Sequence, residues 1–195
     1  MKNKILLFIV LLIYITIPII IFNNQYLYDI KFYILTILGL FIYLLFRILK
    51  VKNENLGITK SNLLPSIKRN CLLIVIMVVG IIVMSFLGLK KYDSNETIWF
   101  YIFYIFISCP IQEFLYRAVF GYFDKVYNNK YLFTILSSLM YSFVHIIYKD
   151  YLTCILTFII GIIWYILYRK DKNILGVTLA HIVLGILTIS LGIIN

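Results

Sequence analysis

The stretch WFYIFYIFISCPIQEFLYRAVFGYF, from Trp99 to Phe123, has the length of a membrane span and carries two charged residues in its second half. An apolar stretch of this length predicts a transmembrane helix. Glu113 and Arg117 are four residues apart, so they share one face of that helix. A central Arg in lipid costs about 2.5–3.5 kcal/mol on insertion scales, and we therefore expect the pair to face protein or a cavity. A structural ion pair between helices is the alternative.

Apolar stretches of similar length recur along the whole chain, which has 195 residues and is 63% hydrophobic. A soluble core of this length does not need so much apolar sequence. The sequence therefore predicts an all-α fold, a polytopic membrane helical bundle of about seven transmembrane helices in one domain, 1–195. The expected spans are 5–22, 30–49, 70–89, 97–123, 131–148, 151–168 and 174–194.

The net charge of +10 is concentrated in the short connections between spans, which argues against nucleic acid as a partner. Placing the N-terminus in the cytoplasm and the C-terminus outside puts thirteen basic residues on the cytoplasmic side and four outside. The thirteen are Lys2, Lys4, Arg47, Lys50, Lys52, Lys60, Lys68, Arg69, Lys125, Lys130, Arg169, Lys170 and Lys172; the four are Lys31, Lys90, Lys91 and Lys149. We expect an integral protein of the plasma membrane. Scarce alanine beside abundant Ile, Lys and Asn is typical of AT-rich genomes and favours a bacterial source.

The two histidines of the chain, His145 and His181, lie in later apolar stretches. Counting from the cytoplasmic ends at 1.5 Å per residue puts Glu113, His145 and His181 at depths of roughly 16, 22 and 12 Å in a core about 30 Å thick. All three can therefore meet in the middle of the membrane. Taken singly, His145 can also be an interfacial histidine, and His181 can be a helix-packing residue beside small neighbours.

A carboxylate and two imidazoles in a wet pocket can activate water and stabilise a carbonyl oxygen in the transition state. Glu113, His145 and His181 could instead hold a divalent metal such as Zn²⁺, since two histidines and one carboxylate form a catalytic zinc ligand set. Their spacing on separate helices does not distinguish these two chemistries. A proton relay in a transporter is a further alternative, although no internal repeat is visible.

From Trp99 to the C-terminus the motifs resemble those of the CPBP (Abi) family of intramembrane proteases, which includes CAAX-prenyl endoproteases and bacteriocin-processing or immunity proteins. The family pattern is Glu-Glu-x-x-x-Arg, then Phe-x-x-x-His, then His-x-x-x-Asn or Asp. Here Gln112-Glu113-x-x-x-Arg117 is followed by Tyr141-x-x-x-His145 and His181-x-x-x-Gly185. The resemblance implies a catalytic core in 97–195. It also implies that Gln112 and His145 occupy the water-activating positions, and His181 and Gly185 the oxyanion positions.

Three family positions differ in this chain, at Gln112, Tyr141 and Gly185. Gln cannot accept a proton as a base. Either Glu113 has taken that role, with Gln112 as a hydrogen-bond donor, or the chain is a weak or inactive protease.

The first hypothesis is therefore an intramembrane endopeptidase that uses Glu113, His145 and His181. Its substrate is a peptide or lipidated-protein segment that arrives from the bilayer or its cytoplasmic side. The alternative is a catalytically degenerate relative that binds a bacteriocin peptide, as an immunity protein, or another membrane partner.

Overall fold

The computed structural model of the chain describes residues 2–88, 92–93 and 95–193. This part of the chain forms eight helices and no strand. The helices are α1 (Lys2–Phe22), α2 (Gln25–Asp29), α3 (Lys31–Ile48), α4 (Leu63–Phe86), α5 (Ile98–Tyr127), α6 (Lys130–Tyr148), α7 (Tyr151–Asp171) and α8 (Ile174–Ser190). A 3₁₀ turn, Asn53–Leu56, lies in the connection between α3 and α4.

Six of these helices are long and apolar enough to cross a membrane, and α8 is a shorter apolar helix of 17 residues. The predicted all-α membrane bundle is therefore confirmed. The third expected span begins earlier than predicted, at Leu63 instead of residue 70. The charged residues Lys68 and Arg69 marked a loop in the sequence, but they lie in the first turns of α4, where Arg69 reaches Asp171 at 3.0 Å.

Two-residue turns join α5 to α6, α6 to α7 and α7 to α8, so these four helices are consecutive antiparallel neighbours. In each turn the first residue adopts a left-handed φ, which ends the preceding helix. The second residue caps the following helix with a side-chain oxygen that accepts a backbone N–H. The turns are Asn128 with Asn129, Lys149 with Asp150, and Lys172 with Asn173.

Helix α5 is the central element, since it contacts α1, α3, α6, α7 and α8. The most extensive helix pairs are α4 with α8 and α6 with α7. Gly176 allows the first pair to approach closely, because a β-carbon at this position would lie 2.6 Å from the carbonyl carbon of Ser66. Such close contacts between small residues are typical of helix packing in membranes.

The alternating helix directions give the bundle two distinct ends. The basic end is formed by residues 49–62, 128–129 and 172–173, and the opposite end by residues 23–30, the described residues of 87–97, and 149–150. Contacts across each end tie its segments together: the Asn173 amide donates to the Thr59 carbonyl at 2.7 Å, and the Tyr28 and Tyr148 rings lie 6.2 Å apart.

Candidate active site

The middle of α5 departs from regular α-helical geometry on both sides of Glu113. Two π-helical segments, Tyr104–Ser108 and Phe114–Ala118, flank the α-helical turn Cys109–Glu113. Pro110 lies in that turn and has no backbone N–H to donate. π-Helical turns are rare and occur frequently at functional sites, because the extra residue in the turn redirects the side chains around it. Two such turns thus lie on either side of Glu113, the carboxylate that the sequence singled out.

Glu113 is fully buried and contacts two of the predicted site residues. Its Oε2 lies 3.2 Å from Nε of Arg117, which is also fully buried. Its Oε1 lies 2.7 Å from Nδ1 of His181. Because an ionised carboxylate oxygen can only accept a hydrogen bond, the His181 Nδ1–H is the donor. Both carboxylate oxygens are thus engaged within the protein.

The guanidinium of Arg117 is held by groups from α6 and α7. Its Nη1 donates to the Ser137 hydroxyl at 3.1 Å, and that hydroxyl donates in turn to the Tyr116 carbonyl. Its Cζ lies 4.5 Å from the ring centroid of Tyr141 and 5.8 Å from that of Trp164. A cation over an aromatic face is attracted by the ring quadrupole. The expected Glu113–Arg117 pair therefore exists and faces protein.

The His181 ring is enclosed by aromatic side chains. Trp164 stacks on it with ring centroids 4.9 Å apart, and the Tyr104 ring lies edge-on at 6.0 Å. Its Nε2 lies 3.3 Å from the Tyr141 hydroxyl. With Nδ1 bonded to Glu113, both ring nitrogens have a partner and the ring orientation is fixed.

His145 lies in the last turn of α6, a 3₁₀ turn that spans His145–Tyr148. Its Nδ1 is 2.7 Å from the Tyr141 backbone carbonyl, and its ring is perpendicular to the Tyr141 ring at 5.0 Å. A carbonyl oxygen can only accept, so Nδ1 carries the proton. The Nε2 of a neutral His145 ring therefore has a free lone pair.

One cavity of about 400 Å³ contains Gln112, His145, His181 and Gly185 in its wall. The Gln112 amide donates to the Ser108 hydroxyl at 2.9 Å. Glu113 and Arg117 do not line this cavity, and they lie behind His181. The five predicted site residues are thus brought together in two layers, with Gln112 and the histidines at the cavity and the ion pair beneath.

Glu113, His145 and His181 are the residues that would hold a divalent metal. A metal would meet Nε2 of His145, because Nδ1 is bonded to a backbone carbonyl, whereas Glu113 does not line the cavity. Throughout 2–88, 92–93 and 95–193, no group of three or more His, Cys, Asp or Glu side chains could hold a metal ion.

The sequence did not single out Tyr104 and Trp164, whose rings lie against His181. Aromatic residues make up 17% of the chain, so neither one stands out. One residue in the sequence could have pointed to Tyr104: Gly185 stands where the family pattern has Asn or Asp. A β-carbon there would lie 2.6 Å from Cζ of Tyr104, and the Tyr104 hydroxyl occupies the space of the absent side chain.

Residues 94–187 match the model of a protein family described as Type II CAAX prenyl endopeptidase Rce1-like. The match covers just under half of the chain and contains all five predicted site residues. Neither curated proteins nor solved structures gave a match to the chain. The chain is thus an integral membrane protein, and its residues 94–187 match the CPBP (Abi) family of membrane endopeptidases, as the motifs predicted.

Proposed function

We propose that the protein is an intramembrane endopeptidase that hydrolyses a peptide bond in the cavity, with His145 as the general base. One observation carries the proposal: the two histidines share one cavity but have chemically different partners at Nδ1. His145 donates to a neutral backbone carbonyl, whereas His181 donates to the Glu113 carboxylate. Two similar groups in different environments take different roles in acid–base catalysis.

His145 is suited to take a proton from water. Its Nδ1–H bond to the Tyr141 carbonyl fixes the tautomer, so that Nε2 is the basic atom. The residue is half-buried at the cavity, where a water molecule can reach it. Gln112 in the same wall cannot remove a proton, but its amide can orient the attacking water by hydrogen bonding.

His181 is suited to stabilise negative charge on the substrate carbonyl oxygen. A carboxylate bonded to Nδ1 stabilises positive charge on the imidazole ring and holds its orientation. Nε2–H can then turn from the Tyr141 hydroxyl, 3.3 Å away, to the oxyanion as it develops. Glu113 and Arg117 act through His181, so in this proposal they are positioning residues. The proposal thus gives Glu113 a different role from the water activation considered for it from the sequence.

The reaction proceeds in two steps. The water oxygen attacks the carbonyl carbon while His145 Nε2 accepts the proton, and His181 Nε2–H bonds to the resulting oxyanion. The C–N bond then breaks, and His145 returns the proton to the leaving amine. The products are one new carboxylic acid and one new amine, which then ionise in water, and both histidines regain their initial protonation states.

Gln112→Glu should keep or raise kcat, because it places a second proton acceptor in the cavity wall beside the attacking water. A positioned base contributes about 10²–10⁴-fold to such reactions, so even a partly aligned carboxylate is measurable. The measurement is kcat on a cleaved peptide, with Gln112→Ala as the control that removes the amide alone. Complete loss of activity in Gln112→Glu would mean that the amide N–H is indispensable and that this position does not support a base.

Tyr104→Phe should lower kcat about 10²-fold with little change in KM, if the Tyr104 hydroxyl donates to the oxyanion from the space beside Gly185.

Gly185→Asn alone should impair the enzyme, because its side chain collides with Tyr104. Combining Gly185→Asn with Tyr104→Ala should recover part of kcat by supplying an amide donor. Tyr101→Phe is the matched control, since the Tyr101 hydroxyl contacts Ser190 at 3.0 Å, away from the cavity wall. Unchanged kcat in Tyr104→Phe would remove Tyr104 from the reaction.

A non-catalytic binding protein is the second candidate, and the residues at 112 and 185 favour it. Gln112 lacks the basicity of a carboxylate, and Gly185 offers no side-chain donor. Such a protein would retain a peptide, for example a bacteriocin, in the same cavity without cleaving it.

The two candidates are separated by a cleavage assay. Wild-type protein in lipid nanodiscs is incubated with a prenylated CAAX peptide and a pool of membrane peptides, with and without chelator. New peptide termini in the mass spectrum support the endopeptidase, and their loss with chelator would show a metal requirement. Retention of intact peptides without new termini supports the binding protein.

A further inference from the structure

Among the described residues, the wall of the cavity extends to one end of the bundle and not to the other. Its wall includes Tyr28, Lys31, Tyr92, Glu96 and Tyr148, all of which belong to the segments of the opposite end or to the helix termini beside them. The mouth is therefore defined here by these five residues. It lies close to the site, since three residues of a 3₁₀ turn separate His145 from Tyr148, or roughly 6 Å at a rise of about 2.0 Å per residue.

At the basic end, polar contacts close the bundle. Arg69 Nε bonds to Asp171 Oδ2 at 3.0 Å, and the Ser66 hydroxyl donates to the Asn173 carbonyl at 3.2 Å. The Asn173 amide donates to the Thr59 carbonyl at 2.7 Å. No residue of 49–62, 124–130 or 169–175, all within the described part of the chain, lines the cavity. The cavity therefore has no lining that leads to the basic end.

The distribution of charge assigns the two ends to the two sides of a membrane. The thirteen Lys and Arg residues expected in the cytoplasm lie at the basic end or in the helix turns that lead to it, whereas Lys31 and Lys149 lie at the mouth end. Basic residues are retained on the cytoplasmic side of membrane proteins. The mouth therefore faces the extracytoplasmic side.

We propose that the substrate reaches the site from the extracytoplasmic side, through the mouth, and is a peptide anchored by an apolar segment in the outer half of the membrane. This inference rests on the proposed endopeptidase function. It differs from the access through the bilayer or its cytoplasmic side that the sequence led us to expect.

The lining of the cavity supports this class of substrate. Apolar side chains from α1, α3, α4 and α7, including Pro18, Leu35, Ile81 and Ile160, form the walls beyond the histidines. The mouth instead carries tyrosines and one charge of each sign, Lys31 and Glu96. Apolar walls suit an apolar anchor, and a polar rim suits a peptide backbone that extends into water. A fully polar peptide would leave the walls unfilled.

Cysteine accessibility in intact cells tests the side of access without requiring catalysis. The native Cys71, Cys109 and Cys154 are first replaced by Ser or Ala. Three single cysteines are then introduced: Thr188→Cys in the cavity wall, Gln25→Cys at the mouth end and Lys60→Cys at the basic end. A membrane-impermeant maleimide is added outside, before or after permeabilisation. We expect Thr188→Cys and Gln25→Cys to be labelled in intact cells, and Lys60→Cys only after permeabilisation.

Three other labelling patterns would each contradict the proposal. Labelling of Lys60→Cys but not Gln25→Cys in intact cells would show the reverse orientation. If Gln25→Cys is labelled in intact cells and Thr188→Cys is labelled only after permeabilisation, the cavity opens to the cytoplasm. Labelling of Thr188→Cys in neither condition would show that the mouth is closed to water. Because labelling does not depend on turnover, the endopeptidase can fail in the cleavage assay while the access route is confirmed, and the reverse also holds.

Discussion

Replacing His145 by alanine should reduce peptide cleavage by about 10²–10⁴-fold, which is what a positioned general base contributes. In the proposed reaction Nε2 of His145 takes the proton from water. Among the residues described, no carboxylate lines the cavity beside it, apart from Glu96 at the mouth. The fold should survive, because His145 is half-buried at the cavity and its Nδ1–H bond is to the carbonyl of its own helix. The measurement is kcat on a cleaved peptide, together with the unfolding temperature in detergent.

Ser142→Ala is the matched control for this variant. Ser142 lies one turn earlier in α6, and its hydroxyl donates to the Cys154 carbonyl at 2.6 Å, outside the cavity wall. This variant loses a packing hydrogen bond but no cavity group, so its kcat should be that of wild type. If His145→Ala retained wild-type kcat with an intact fold, another group would have to be the base.

Replacing Arg117 by methionine should destabilise the protein by about 3–5 kcal/mol, the cost of leaving a buried charge without its partner. Arg117 and Glu113 are both fully buried, and their ion pair lies behind His181. Removing Arg117 leaves the Glu113 carboxylate with His181 alone. The measurement is the free energy of unfolding by denaturant in detergent.

A double variant separates the structural from the catalytic role of this pair. Glu113→Gln with Arg117→Met removes both charges and should recover most of the lost stability. It should nevertheless remain slow, because His181 no longer has a carboxylate at Nδ1. Arg69→Met is the control, since the Arg69 side chain is 41% exposed and its pair with Asp171 should contribute less. If Arg69→Met and Arg117→Met lowered the free energy of unfolding equally, breaking the buried pair would cost no more than breaking the exposed one.

Much of the bundle follows from simple patterns in the sequence. Length and hydropathy predicted the helices, and the cost of charge in lipid predicted that Glu113 and Arg117 would face protein. The depth estimate brought Glu113 and His181 to the middle region of the membrane, and the two are bonded in the structure. The predicted start of α4 was wrong because Arg69, in the second turn of the helix, pairs with Asp171. A hydropathy pattern cannot reveal such a pair.

The sequence could not show which of Gln112 and Glu113 faces the cavity. Neighbouring residues on a helix point about 100° apart, and the two π-helical segments of α5 change the helical phase around them. The same shifts place Tyr104 against Gly185, a contact that regular helical spacing does not predict. The residue types thus indicated which chemistry to expect. Only the structure shows that Gln112, His145 and His181 line the cavity, whereas Glu113 and Arg117 do not.

Hydrolysis in ¹⁸O-enriched water tests the central claim most directly. Wild-type protein and His145→Ala are incubated in parallel, in nanodiscs, with a peptide that the wild type cleaves. If water activated by His145 attacks the peptide bond, the N-terminal fragment from wild type should carry one heavy oxygen in its new carboxyl group, and the variant should form almost none of it. The same heavy fragment at the same rate from His145→Ala, or no fragment from wild type with any peptide in the pool, would contradict the account.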